Sequence, residues 1–173
     1  MTLRPYQQAA VDAAVEWMRK SLAPACIEAA TGAGKSHIIA EIARQIHHQT
    51  GKRVLCLAPS AELVVQNHGK YLASGHRSSM FSASAGAKEL RYSVVFGSPL
   101  TVKNRISAFK RAGADGYALV VIDEAHGITP TVQGIVADMR QGNPNLRVLG
   151  LTATPYRLGS GWIFREDAEG RIN

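Results

Sequence analysis

A mostly parallel β-sheet with helices on both faces follows from the way this chain alternates. Short apolar runs recur between longer amphipathic stretches, and the runs at 119–122 and 146–151 have the unbroken character of strands buried on both faces. Repeated strand-then-helix order requires crossovers, and crossovers make the sheet parallel. With 46% hydrophobic and 19% charged residues in a chain of 173, the sequence is globular and long enough for one ordinary domain.

Taken in order, Pro5 to Lys20 reads as a helix, with Pro at its start and Ala9, Ala13, Val15, Trp17 and Met18 at mixed three and four spacing. A strand at Ala25 to Glu28 enters a Gly-rich turn, followed by a helix from Lys35 to His48. Val54 to Ala58 is a second strand, closed by Pro59, with a helix from Ala61 to Leu72 after it. Strands are expected at Met80 to Ser82 and Val94 to Phe96, with Gly86 in a loop between them. A helix follows from Leu100 to Arg111, then strands at Leu119 to Ile122 and Leu146 to Leu151 with a helix over Thr131 to Met139 between them. No repeat or low-complexity linker divides the chain.

Twenty Lys and Arg against thirteen Asp and Glu give a formal charge of +7. A polyanionic partner and plain solubility both account for that excess, because the basic residues form no block. Cys26 and Cys56 each sit in a short apolar run and read as small core residues, with no C-x-x-C spacing for zinc. The five histidines at 37, 47, 48, 68 and 76 have no metal-like spacing and read as surface or structural, and Trp17 and Trp162 as packing residues. No apolar stretch approaches a membrane span and no signal-peptide core opens the chain, so no membrane partner and a cytoplasmic location are expected.

Two segments carry chemistry. After the first strand the chain reads AATGAGKS (29–36). A polyphosphate needs converging backbone N–H groups, a helix N-terminus, one mobile positive charge and a hydroxyl for the metal. Gly32, Gly34, Lys35 and Ser36 supply those parts, within a loop that also includes Thr31 and Ala33. Lys35 would reach the β and γ phosphates and Ser36 would ligate Mg²⁺; Ala29 stands where the general phosphate-loop pattern has its first glycine. The second segment, LVVIDEAH (119–126), brings two carboxylates out of a buried strand at its C-terminal end, where ligands sit in open parallel sheets. Asp123 would hold Mg²⁺ through water, and Glu124 would orient and deprotonate the water that attacks the γ-phosphate.

With LRPYQ (3–7) and TAT (152–154), these segments resemble the first RecA-like domain of a superfamily two helicase of the DEAH-box kind, and the resemblance covers almost the whole chain in the expected order. The opening LRPYQQ and the closing GLTATPYRLGSGW (150–162) are most similar to the bacterial RadD family, implicated in DNA repair and recombination. The superfamily tolerates Ala at the position of Ala29. The resemblance implies ATP and Mg²⁺ as cofactors and DNA, more than RNA, as partner. It implies that Gln7 reads the adenine edge with Arg4 beside the base, an amide offering both donor and acceptor. It also implies a catalytic set of Lys35, Asp123, Glu124 and His126, with His126 linking the γ-phosphate region to Thr152 and Thr154, the segment that couples nucleotide state to grip on nucleic acid.

PSAEL (59–63) with Gln66 and Asn67 resembles the loop and helix start that hold the phosphodiester backbone. Ser60 keeps a hydroxyl there, while Ala61 stands where RNA-type DEAD-box members carry Arg. FGSPLT (96–101), containing Gly97 and Ser98, and Lys103 beyond it occupy the place of a second backbone-contacting segment. The helix-capping alternative for both segments stays open at this point. Residues 1–160 would form the motor half and 161–173 a tail or the start of a linker to a second RecA-like domain. Alone, the chain is expected to hydrolyse ATP slowly and not to unwind. A binding module without catalysis, a small-molecule P-loop kinase and a restriction-type translocase are the competing readings.

Overall fold

The computed structural model describes residues 2–30 and 34–153, together with the short strands at 156–157 and 161–162. In chain order the elements are α1 (Pro5–Lys20), β1 (Ala25–Glu28), α2 (Lys35–Thr50), β2 (Arg53–Leu57), α3 (Ala61–Ala73), β3 (Ser79–Ser82), β4 (Ala87–Lys88), β5 (Val94–Gly97), α4 (Pro99–Lys103), β6 (Tyr117–Asp123), α5 (Pro130–Gly142), β7 (Arg147–Thr152), β8 (Tyr156–Arg157) and β9 (Gly161–Trp162). A seven-stranded sheet runs β1-β7-β6-β2-β5-β3-β4, parallel except where β4 turns back on β3; β8 and β9 pair separately. This is the mostly parallel α/β architecture the sequence predicts.

Local signals set the helix limits. α2 ends because Gly51 takes a left-handed φ of 67° and returns its N–H to His47 O at 2.8 Å. The Ser60 hydroxyl accepts from Leu63 N at the start of α3, and the Thr129 hydroxyl accepts from Val132 N at the start of α5, where Pro130 is the first helical residue.

Two cores, one on each face, explain why the strands read as unbroken apolar runs. Val54 and Cys56 of β2, Leu119 and Val121 of β6, and Leu149 and Leu151 of β7 pack with Val11, Val15, Ile38 and Ile42 under α1 and α2. The alternate residues Leu55, Leu57, Val120, Ile122 and Val148 pack on the other face with Ile135 and Met139 of α5. Each fully buried aliphatic side chain contributes about 1.5–3 kcal/mol of transfer free energy.

Two expectations are corrected, and one short strand was not anticipated. β1 lies at the sheet edge, so Ala25, Cys26 and Ile27 are only half-buried and Cys26 is not a core residue. Burial still raises the Cys26 thiol to about 11, and Cys56, fully enclosed, is pushed higher. The single helix expected from Leu100 to Arg111 is two pieces. α4 stops at Lys103, Arg105 leaves the helical region at φ −130° and ψ 34°, and a 3-10 turn at Ile106–Phe109 follows. Tertiary packing overrides propensity there, because Phe109 is fixed edge-on to Phe81 at 5.3 Å and beside Tyr117 at 5.6 Å. The hairpin strand β4 has no apolar run and gave no sequence signal. Among the described residues no helix is long and apolar enough to cross a membrane.

His68 packs edge-on to Phe96 at 6.0 Å and shares a hydrogen bond with the Ser78 hydroxyl at 2.8 Å. Burial holds its imidazole below the ordinary value of 6.5, against a smaller opposing pull from Glu89. His37 is lowered too, by burial first and then by Lys70 and Arg4, and its Nδ1 is buried without a hydrogen-bond partner. The unfolded chain therefore binds protons that the folded chain refuses. The stability that these two neutral imidazoles contribute is complete above the unfolded value of 6.5 and is lost as pH drops below it. Urea denaturation from pH 7.5 to 5 should show that decline, and His68→Gln should flatten it.

Candidate functional site

The strand order brings the C-terminal ends of β1, β7, β6 and β2 side by side, where Glu28 is paired with Thr152 and Asp123 with Leu151. Loops leaving these ends must share one edge of the sheet, and the sequence-predicted residues converge there. Thr31, Gly32 and Ala33 lie outside the described residues, and the description resumes at Gly34 in a left-handed conformation, φ 76° and ψ 44°. A Cβ on Gly34 would fall 2.3 Å from Gln7 Nε2 and 3.3 Å from His37 Cδ2, so conformation and space both demand glycine. The next residues, Lys35 and Ser36, open α2.

Lys35 crosses to the end of β6. Its ammonium donates to Glu124 Oε1 and lies 3.9 Å from Asp123 Oδ1. The side chain of Asp123 is 4% exposed and that of Lys35 17%, so the pair is largely dry. Each charge there needs the other, because an unpaired buried carboxylate is strongly destabilising.

Behind this ion pair lies a polar cluster assembled by α3. The Ser36 hydroxyl donates to Asn67 Oδ1 at 2.8 Å and accepts from Gln66 Nε2 at 2.9 Å, and Asn67 Nδ2 donates to Asp123 Oδ2 at 2.9 Å. Asn67 is 2% exposed. It cannot touch a phosphodiester backbone from that position, and Gln66, exposed as a residue, turns its amide to Ser36. Both amides face the phosphate loop, and burial corrects the expectation for Asn67 alone, since Gln66 stays exposed. The signal was present, since Asn67 continues the core-facing stripe of Val64 and Tyr71 at helical spacing, and an Asn in an apolar stripe needs internal partners.

Glu124 is the one non-glycine residue with positive φ among those described, at φ 53° and ψ 49°. Its own N–H donates to Asp123 Oδ1 at 2.9 Å, which fixes the turn. Such a conformation costs about 1–3 kcal/mol and persists only where the surroundings impose it. His126 Nδ1 lies 3.0 Å from Thr152 Oγ1 and 3.3 Å from Glu124 Oε2. Thr152 is fully buried and its carbonyl accepts the N–H of Ala29 at the entrance of the phosphate loop, at 2.9 Å. Thr154 lies outside the described residues. At the start of α1, Gln7 is 5% exposed, and its Oε1 accepts the Arg4 N–H at 2.9 Å, closing the first turn.

Beyond the carboxylates opens a cleft of about 530 Å³, lined among others by Pro59, Ala61, Ser98, Leu100, Asp123 and Glu124. Ser60 caps α3 at one rim. Ser98 donates to Thr101 Oγ1 at 3.0 Å, and Thr101 Oγ1 accepts from Ala83 N at 3.0 Å, tying the start of α4 to the end of β3. Gly97, expected at a nucleic-acid backbone, is corrected to a packing residue. It is buried, and a Cβ there would lie 3.0 Å from both Phe81 O and Val102 Cγ2. The Lys103 ammonium sits 3.5 Å from Asp138 of α5, a pairing the sequence did not disclose. His47 Nδ1 meets Lys52 O at 2.7 Å at the end of α2.

A family model described as type III restriction enzyme, res subunit, matches residues 1–157. The genome polyprotein of classical swine fever virus (strain Alfort/Tuebingen) is 31% identical over 137 residues, 75% of this chain and 3% of that polyprotein. The crystal structure of the UvsW helicase from bacteriophage T4 superposes with a TM-score of 0.71 at 20% identity, over 90% of this chain and 54% of that one. The Sulfolobus solfataricus SWI2/SNF2 ATPase core in complex with dsDNA superposes with a TM-score of 0.61 at 21% identity, over 90% of this chain and 32% of that one. The chain thus spans about half or less of the proteins it matches.

Gly34→Ala should lower stability by about 1–3 kcal/mol, since the new methyl meets Gln7 and the left-handed φ is strained. Urea denaturation monitored by Trp fluorescence reads this directly, and a variant as stable as the parent would contradict the close packing of α1 on the phosphate loop.

Proposed function

We propose, from the premise that this chain belongs to the type III restriction enzyme res subunit family and is a RecA-like helicase domain, that it is the ATP-binding half of a DEAH-type motor that moves on or remodels DNA. The observation that carries the reading is Lys35 held between Glu124 and Asp123, with Ser36 beside them, at the C-terminal edge of a parallel sheet.

The residues fit the group they would hold. A serine hydroxyl and an aspartate carboxylate are hard oxygen donors of the kind magnesium takes alongside phosphate oxygens. Ser36 and Asp123 would hold the ion, and when bound it would supply positive charge that offsets the negative charge developing on the phosphates during transfer. Arriving phosphates offer Lys35 a competing anion, so its ammonium leaves Glu124 for the β and γ oxygens. Glu124 is thereby released to orient water and accept its proton, which makes the ion pair a latch that opens when nucleotide binds. Gln7 reads the adenine edge and Arg4 lies beside the base. His126 reports the state of Glu124 to Thr152, and a second RecA-like domain supplies the arginine that completes the transition-state site.

DNA as the track is supported by the +7 charge, by the cleft between Ala61 and Ser98 and by the DNA-bound Sulfolobus core. Within this reading, Lys103 contacts the backbone once it leaves Asp138. A restriction-type translocase that moves without separating strands is the second reading, and the family description, a restriction-enzyme subunit, is what recommends it. Displacement of a triplex strand without duplex unwinding would select it. Cytoplasmic DNA repair is the setting suggested by the RadD-like termini.

In the full-length protein with DNA present, Lys35→Ala should reduce steady-state ATP turnover at least a hundredfold, and Glu124→Gln should keep ATP binding while turnover falls by about 10²–10⁴. DNA-stimulated turnover surviving in Lys35→Ala would refute the assignment. Asp138→Asn should free Lys103 and tighten DNA binding several-fold at low salt, with a steeper salt dependence measured by fluorescence anisotropy.

A further inference from the structure

Asn67 has the two atoms of its amide committed to two different residues, and both are the ones that would ligate the metal. The Ser36 hydroxyl gives its proton to Asn67 Oδ1 at 2.8 Å, while Asn67 Nδ2 donates to Asp123 Oδ2 at 2.9 Å. A hydroxyl that ligates a cation must turn its proton away and present a lone pair. Asn67 Oδ1 takes that proton, and Gln66 Nε2 at 2.9 Å occupies one further lone pair, which leaves another for the ligand. On the opposite side, Asp123 Oδ1 accepts the Glu124 N–H at 2.9 Å, so the carboxylate is gripped at both oxygens and cannot rotate.

We infer that Asn67 is a positioning residue, which sets the Ser36 hydroxyl and the Asp123 carboxylate in the orientation that magnesium-dependent nucleotide binding requires. The inference rests on the proposed ATP site. No other side chain of this size serves both partners: an aspartate would repel Asp123, and an apolar isostere would leave the Ser36 proton free to turn toward the cation. α3 makes the placement rigid, since Val64 and Tyr71 anchor the same face in the core and Asn67 itself is 2% exposed. Hydrogen-bonded groups of this kind behind a metal site typically change metal affinity about 10- to 100-fold when removed.

The test is a magnesium titration of the binding of a fluorescent ATP analogue to the full-length protein, comparing the parent, Asn67→Leu and Asn67→Asp. A melting curve of each variant is recorded, and affinity in EDTA is measured alongside. Asn67→Leu should bind the analogue in EDTA as the parent does, yet need about tenfold more magnesium for half-maximal tightening. Asn67→Asp, which keeps shape and the acceptor, should show the same displaced midpoint and decides the matter if the leucine variant melts early. An unchanged midpoint in a folded variant overturns the inference, as does an equal loss of affinity with and without magnesium, because a merely structural role predicts that. A parent that binds no nucleotide sinks the ATP-site reading and this inference with it, whereas a magnesium-responsive parent with an equally responsive variant sinks the inference alone.

Discussion

The position of β6 between β7 and β2 is the constraint on which the site depends. A seven-residue strand buried along its whole length can end in two carboxylates only if something receives their charge, and Lys35 from the start of α2 does so. The two groups are 89 residues apart in sequence, so the ion pair exists only once the parallel ladder has formed. Formation of the sheet and assembly of the site are therefore one event. The pair adds little net stability against its desolvation, but either member alone would be costly in this dry setting.

That constraint also accounts for how the neighbouring groups are shared out. Asp123 is gripped from below by Asn67, from its own backbone by the Glu124 N–H, and faces Lys35 at 3.9 Å. Glu124 receives the ammonium at one oxygen and stands 3.3 Å from His126 at the other. His126 then meets Thr152, whose carbonyl holds the residue that enters the phosphate loop. A chain of polar contacts thus runs from the end of β1 through β7 and β6 to α2.

The sheet was legible because its strands are short apolar runs, and the alternation of Val54 and Cys56 with Leu55 and Leu57 onto opposite cores shows why those runs carry no polar residues. The convergence of Lys35, Ser36, Asp123 and Glu124 at one sheet edge was legible because it follows from their places at the ends of strand–turn–helix segments, which the linear sequence preserves. What depends on packing between distant segments was not. The edge position of β1, the break after α4 imposed by Phe109 and the antiparallel β4 are decided by neighbours that a linear pattern does not name. The same limit explains Gly97, whose residue type suits a backbone-binding surface while its burial and close neighbours show that it packs inside.

The left-handed backbone at Glu124 sets stability against chemistry. Glycine would relieve the strain there, and asparagine would tolerate the conformation better than glutamate. Relief of that strain would come with loss of the carboxylate that meets Lys35 and His126, so backbone ease and charge pairing pull this position in opposite directions. Engineering of this domain for robustness should begin elsewhere, at positions such as exposed Leu22 or Leu72, where added stability does not compete with the site.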